Sequence, residues 1–202
     1  MKRSLFASFI VASVCLFAPA VFAQSPPPSY HESDHVEAGI FGEFYHWDQT
    51  DTDLAGVGAR LSVNMTPLVQ LEGEMSYDFN QVFTENFGSS IGASFQRTEG
   101  RRIDGLFGPK IETNRGPVRF FLTAKGGATS FGFSNAPATV GTFFSSVGNL
   151  RARDAIAEFY PGAGAEAFIG PIGLRLDVGD EMYFANNVYH NIRVTFGPTI
   201  RF

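Results

Sequence analysis

The sequence predicts an all-β fold, an eight-stranded antiparallel up-and-down transmembrane β-barrel. Three observations lead there. Segment after segment alternates apolar and polar residues with period 2. Apolar character is spread evenly at a mean hydropathy of +0.00, and past the first residues nothing reaches the roughly 18 apolar residues of a membrane helix. The connections between the alternating segments are by turns short and long.

Composition narrows the class first. The 202 residues hold 15 Lys+Arg against 20 Asp+Glu, and 17% are charged, below the roughly 25% of soluble domains. Phe and Gly number 22 each. Such a chain is neither disordered, nor a coiled coil, nor a basic nucleic-acid binder, so no nucleic-acid partner is expected.

Residues 1–23 read as a secretory signal peptide. Met1-Lys2-Arg3 is a basic head, Leu5 to Ala18 an apolar run, and Val21-Phe22-Ala23 a small-residue cleavage site. The one cysteine, Cys15, lies inside it. Lys2 and Arg3 leave with it, which takes the formal charge from −5 to −7. Residues 24–35 form a Pro/Ser-rich periplasmic linker, from Gln24 through Pro26-Pro27-Pro28, and the barrel is expected over 36–202.

The strands follow in order. Val36 to Trp47 sets Val36, Ala38, Ile40 and Phe44 against Glu37, Phe41, Glu43 and Tyr45. Leu54 to Asn64 opposes Val57, Leu61 and Val63 to Gly58, Arg60 and Ser62. From Val69, Leu71, Met75 and Phe79 face away from Glu72, Glu74 and Asp78. Ile103 to Glu112 places Ile103, Phe107 and Ile111 opposite Asp104, Lys110 and Glu112. From Val118, Phe120, Leu122 and Ala124 oppose Arg119, Phe121 and Lys125. Ala155 to Ile169 sets Phe159 and Ala163 against Glu158, Tyr160 and Glu166. Ile172 to Gly179 alternates Leu174, Leu176 and Val178 with Arg175 and Asp177, and the last segment opposes Ile192, Val194, Phe196 and Ile200 to Arg193, Thr195 and Arg201. Tight turns are expected at Met65-Thr66-Pro67, Thr113 to Pro117 and Gly170-Pro171. Longer loops are expected at Asp48 to Asp53, Asn80 to Arg102, Ser130 to Asp154 and Asp180 to Tyr189. Short turns at one end and long loops at the other characterise barrels of a bacterial outer membrane, with the short turns in the periplasm.

A lipid-facing exterior demands the apolar stripes outside and the charges within. Phe44, Tyr45, Trp47, Tyr77, Phe79, Phe131, Phe133, Tyr183, Phe184 and Phe202, near strand ends, are expected to form two interfacial girdles. Val36 to Phe202 resembles the OmpA-like eight-stranded outer-membrane β-barrels in strand pattern, loop alternation and the terminal run Asn191 to Phe202. That run, with Phe196, Ile200 and Phe202 alternating to the carboxyl end, is similar to the assembly signal read in this group. The resemblance implies an outer-membrane location and the barrel-assembly machinery as a partner during biogenesis. Many relatives carry a peptidoglycan-binding domain after the barrel; the resemblance covers the barrel alone, so that anchoring role is not expected to carry over.

The inward faces carry Glu43, Arg60, Glu72, Glu74, Asp104, Lys110, Arg119, Lys125, Glu158, Glu166, Arg175, Asp177 and Arg193, joined by Glu37, Asp78, Glu112 and Arg201. Unpaired buried charges are costly, so these are expected to pair across the lumen. A side-chain plug is the expectation for eight strands, and a narrow ion or small-solute channel is the alternative. No cofactor and no metal site are expected. An enzyme acting on lipid A would need a His/Ser/acid set. Only His46 and His190 near Asp48 come close, and no nucleophilic Ser lies nearby, so no catalytic residue is assigned. The loops 80–102 and 130–154 carry several Phe residues and are the expected surface-ligand sites. Arg101, Arg102, Arg151 and Arg153 are expected near the rim, within reach of lipopolysaccharide phosphates. The functional expectation is a structural, envelope-integrity or adhesive role.

Overall fold

The computed structural model of the protein describes residues 35–89, 92–113, 116–133 and 155–202, with backbone alone over 81–98. The expected signal peptide 1–23, all of the expected linker but His35, and residues 134–154 of the expected second loop lie outside the described residues.

Eight strands close into one barrel in sequence order, every neighbouring pair antiparallel. They are β1 (Val36–Trp47), β2 (Thr52–Asn64), β3 (Val69–Ser89), β4 (Gly92–Glu112), β5 (Val118–Phe133), β6 (Ile156–Ile169), β7 (Ile172–Ala185) and β8 (Asn187–Arg201). The seam between β1 and β8 runs from Glu37↔Arg201 to His46↔Ile192, so no sheet edge is left there. Twelve residues of β1, tilted by about 40°, rise roughly 30 Å, enough for the apolar band of an outer-membrane barrel.

The side-chain period of 2 then sorts the residues. Ile40, Val57, Leu61, Met75, Phe107, Leu122, Leu174 and Phe196 stand on the outside, exposed, while the charged residues between them are buried in the lumen. At the short-turn end, Thr66 Oγ1 accepts from the Val69 amide at 3.1 Å to hold the β2–β3 turn. Gly170-Pro171 links the paired Ile169 and Ile172. Gly170 takes φ +64 and Pro171 follows, the pattern of a type II′ turn with glycine at its first central position.

At the other end two expectations are corrected. Asn80 to Arg102 is a ribbon and not an open loop: after a shift between Asp78 and Gln81, β3 and β4 stay paired to Ser89↔Gly92. Asp180 to Tyr189 is also strand, since β7 and β8 run to Ala185↔Asn187 and reverse at Asn186, φ 69. In both places the alternation weakens because a ribbon above the lipid has water on both sides. Phe131 and Phe133 likewise belong to β5.

Candidate functional site: the charged lumen

Glycines on the inward faces make room for aromatic rings. A Cβ on Gly58 would lie 2.3 Å from the Phe41 ring, one on Gly164 2.3 Å from Phe121, one on Gly179 2.6 Å from Tyr160, and one on Gly173 2.7 Å from Phe168. Each ring carries a cation on it. Arg60 lies 4.3 Å from the Phe41 centroid, Arg175 4.2 Å from Phe121, Lys125 5.6 Å from Tyr160, and Arg119 and Arg201 4.7 and 4.6 Å from Phe168. The rings thereby position the cationic heads at fixed heights.

At the short-turn end, Lys110 Nζ meets Glu166 at 2.6 Å, Glu112 at 3.1 Å and Glu37 at 3.6 Å, and Arg119 pairs Glu112 at 3.0 Å. The carboxylates of Glu37, Glu112 and Glu166 converge closely enough to hold a metal ion. The Lys110 ammonium already supplies their positive charge.

In mid-barrel Glu72 accepts from both terminal nitrogens of Arg175, at 2.5 and 2.9 Å, and from Ser62 at 2.8 Å. Lys125 adds a 2.6 Å contact to Glu72 and bridges to Glu74 at 2.8 Å. Asp177 accepts from Arg175 at 2.8 Å and from the Tyr160 hydroxyl at 2.6 Å, with Arg60 at 3.8 Å. Higher, Arg193 joins Glu43 and Glu74, both at 2.7 Å. Asp104 accepts from Ser76 and, at 2.6 Å, from Arg102. Glu158 is buried and inward, yet forms no ion pair and no hydrogen bond among the described residues.

Two members of this column escape a reading of the sequence. Arg102 and Glu181 fall in segments read as loops, yet both are fully buried. Arg102 contacts Glu181 at 3.1 Å and Glu43 and Asp78 at 3.4 Å each. The expected placing of Arg102 among lipopolysaccharide phosphates is therefore corrected, while Arg101 is exposed. Carrying the alternation one step beyond Asp104 finds Arg102, and one step beyond Gly179 finds Glu181.

An aromatic lid closes the long-hairpin end. Trp47 stacks on Phe131 at 5.0 Å, Phe131 meets Tyr183 edge-on at 5.6 Å, and Tyr183 stacks on Tyr189 at 5.0 Å. Trp47 Nε1 donates to the Tyr183 hydroxyl at 2.8 Å, which donates to Gln49 at 2.5 Å. Tyr45, Trp47, Phe131 and Tyr183 are thus buried and not part of an outward girdle, a second correction. Phe44, Phe79, Phe184 and Phe202 do face out. Inside a narrow barrel the last inward positions have no charge partner above them, so rings fill them.

His46 and His190 stand at the lid end on the outward parity of β1 and β8. Each has its own carboxylate, Asp53 at 2.7 Å for His46 and Asp180 at 2.6 Å for His190. Asp48, expected beside them, instead donates its amide to Asn191. The terminal Phe196, Ile200 and Phe202 are exposed on the outer wall.

No protein-family model matches the chain, and no curated protein matches it in sequence. Among solved structures it is similar to Neisserial surface protein A, with a TM-score of 0.53 at 10% identity over 83% of this chain and 96% of that one. It is similar also to the outer membrane protein OprG from Pseudomonas aeruginosa, with a TM-score of 0.51 at 8% identity over 85% and 97%. At such identities the likeness is one of fold, and the fold is that of eight-stranded outer-membrane β-barrels.

Proposed function

We propose that this chain is an outer-membrane protein with a structural and surface-interaction role, its lumen a plug and its working surface the ribbon of β3 and β4. The observation that carries this reading is the contrast between the two parts. Ion-paired side chains occupy the lumen from Glu37 and Lys110 up to Arg102 and Glu181, and rings top it, which supports a plug over a channel. The ribbon continues from Gln81↔Gly100 to Ser89↔Gly92, whereas β3 pairs β2 only as far as Asp78 and β4 pairs β5 only as far as Gly100 among the described residues. Strand edges left without a neighbour are ready templates for a partner. With the short turns in the periplasm, the ribbon faces the outside.

On this reading residues 1–23 direct export, the outward row Phe196, Ile200 and Phe202 serves the assembly machinery, and lipid or lipopolysaccharide covers the apolar wall. Catalysis is not part of it, because the two His–Asp pairs have no nucleophile assigned to them. Replacing residues 81–99 by a two-residue turn, and shortening 134–154, should abolish attachment of expressing cells to a host-cell monolayer while the barrel still folds. Attachment at the full level by the trimmed barrel would refute the reading. Lipid A from cells overproducing the protein should give an unchanged mass spectrum; an acyl chain gained or lost, and restored by His46→Ala or His190→Ala, would establish an enzyme instead.

A further inference from the structure

We propose that the upper lumen, beneath the aromatic lid, binds a hard divalent cation of the Ca²⁺ class with the Glu158 carboxylate as its principal protein ligand. The distribution of buried charge leads there. From Glu74 toward the short-turn end, six buried acids face six buried bases. Above it, Glu43, Asp78, Asp104, Glu158 and Glu181 face only Arg102 and Arg193. Among the described residues the negative surplus of the lumen is therefore gathered in one layer.

Within that layer the two arginines are shared among four of the acids. Arg102 contacts Glu43, Asp78, Asp104 and Glu181, and Arg193 contacts Glu43, Glu181 and Asp104. Glu158 is left over. It is 3% exposed, and neither carboxylate oxygen has a hydrogen-bond partner. It lies opposite Tyr183 of the lid on β7, two residues from Glu181, and the charges acting most strongly on it are those of Glu181 and Asp104. Both oxygens of Asp78 also accept no hydrogen bond, its one ion contact being Arg102 at 3.4 Å.

A lone carboxylate taken from water costs several kcal/mol unless a positive charge meets it. At the short-turn end the same need, posed by Glu37, Glu112 and Glu166, is met by Lys110. The upper layer has no lysine. Its oxygens without a hydrogen-bond partner belong to carboxylates and to the Tyr45 hydroxyl, with no thiolate or imidazole, an all-oxygen set that suits Ca²⁺ and not zinc.

The test uses the refolded protein in detergent, equilibrated with Ca²⁺ and separated from free ion by gel filtration. Elemental analysis should find about one Ca²⁺ per barrel. Glu158→Gln should lose the ion or bind it at least about tenfold more weakly, while Glu37→Gln keeps it. A heat-modifiable gel band shows that each variant is folded. Should Glu158→Gln not fold, Glu158→Asp keeps the charge on a shorter arm and should bind about tenfold more weakly. A wild-type barrel without Ca²⁺ overturns the proposal, since protons would then carry the surplus. Equal Ca²⁺ in wild type and Glu158→Gln also overturns it and places the ion on the outer acids near Asp51 and Asp53.

Discussion

Glu72 shows how much one side chain can hold in a closed lumen. It is fully buried and meets Arg175, Lys125 and Ser62 together. Glu72→Gln leaves two buried cations short of charge, and about 3–5 kcal/mol of stability should be lost, read as a lower urea midpoint for the barrel folded in detergent. Ser62→Ala removes one neutral donor and should cost only about 1 kcal/mol. The glycines act by absence. At Gly58 a methyl would meet the Phe41 ring at 2.3 Å and the Met75 carbonyl oxygen at 2.5 Å. The ring can swing but the backbone cannot, so Gly58→Ala should cost about 1–3 kcal/mol in the same measurement, and Phe41→Leu should relieve part of it.

Strands were legible wherever lipid lay on one side of them and ions on the other. β5 is the clearest case, with Leu122 exposed and Lys125 buried against Glu74 three residues on. Leu122→Arg should therefore destabilise by about 2–4 kcal/mol if it sits near the bilayer midplane, although the same strand carries Lys125 inside. The upper half of β3 and β4 was not legible, because its environment is alike on both faces and period 2 loses its contrast. Arg102 and Glu181, and with them the surplus of acid under the lid, were hidden for another reason: each is a buried charge just inside a segment read as loop, so the alternation that reaches them was cut one step short. The inward turn of Trp47 and Tyr183 was hidden for a third: an aromatic near a strand end suits a girdle and a lid equally, and only parity with Glu43 or Asp177 separates them. Turn chemistry was plain. Gly170 at φ +64 predicts that Gly170→Ala costs about 1–2 kcal/mol without changing the register of β6 and β7.

The complete cylinder is held by two unlike solvents, acyl chains outside and its own ions within. A barrel so filled should show no discrete conductance steps in a planar bilayer, and steady unitary currents from verified folded protein would require a wet path past Arg175 and Arg193. The compact form should resist SDS until boiled and then shift on a gel, since every ladder closes on a neighbour. The chain has a single tryptophan, and it lies wholly in the lid, stacked on Phe131 and bonded to Tyr183. Intrinsic indole emission is consequently a local gauge of one mouth of the cylinder: it will register the opening of that mouth while remaining blind to melting at the opposite rim.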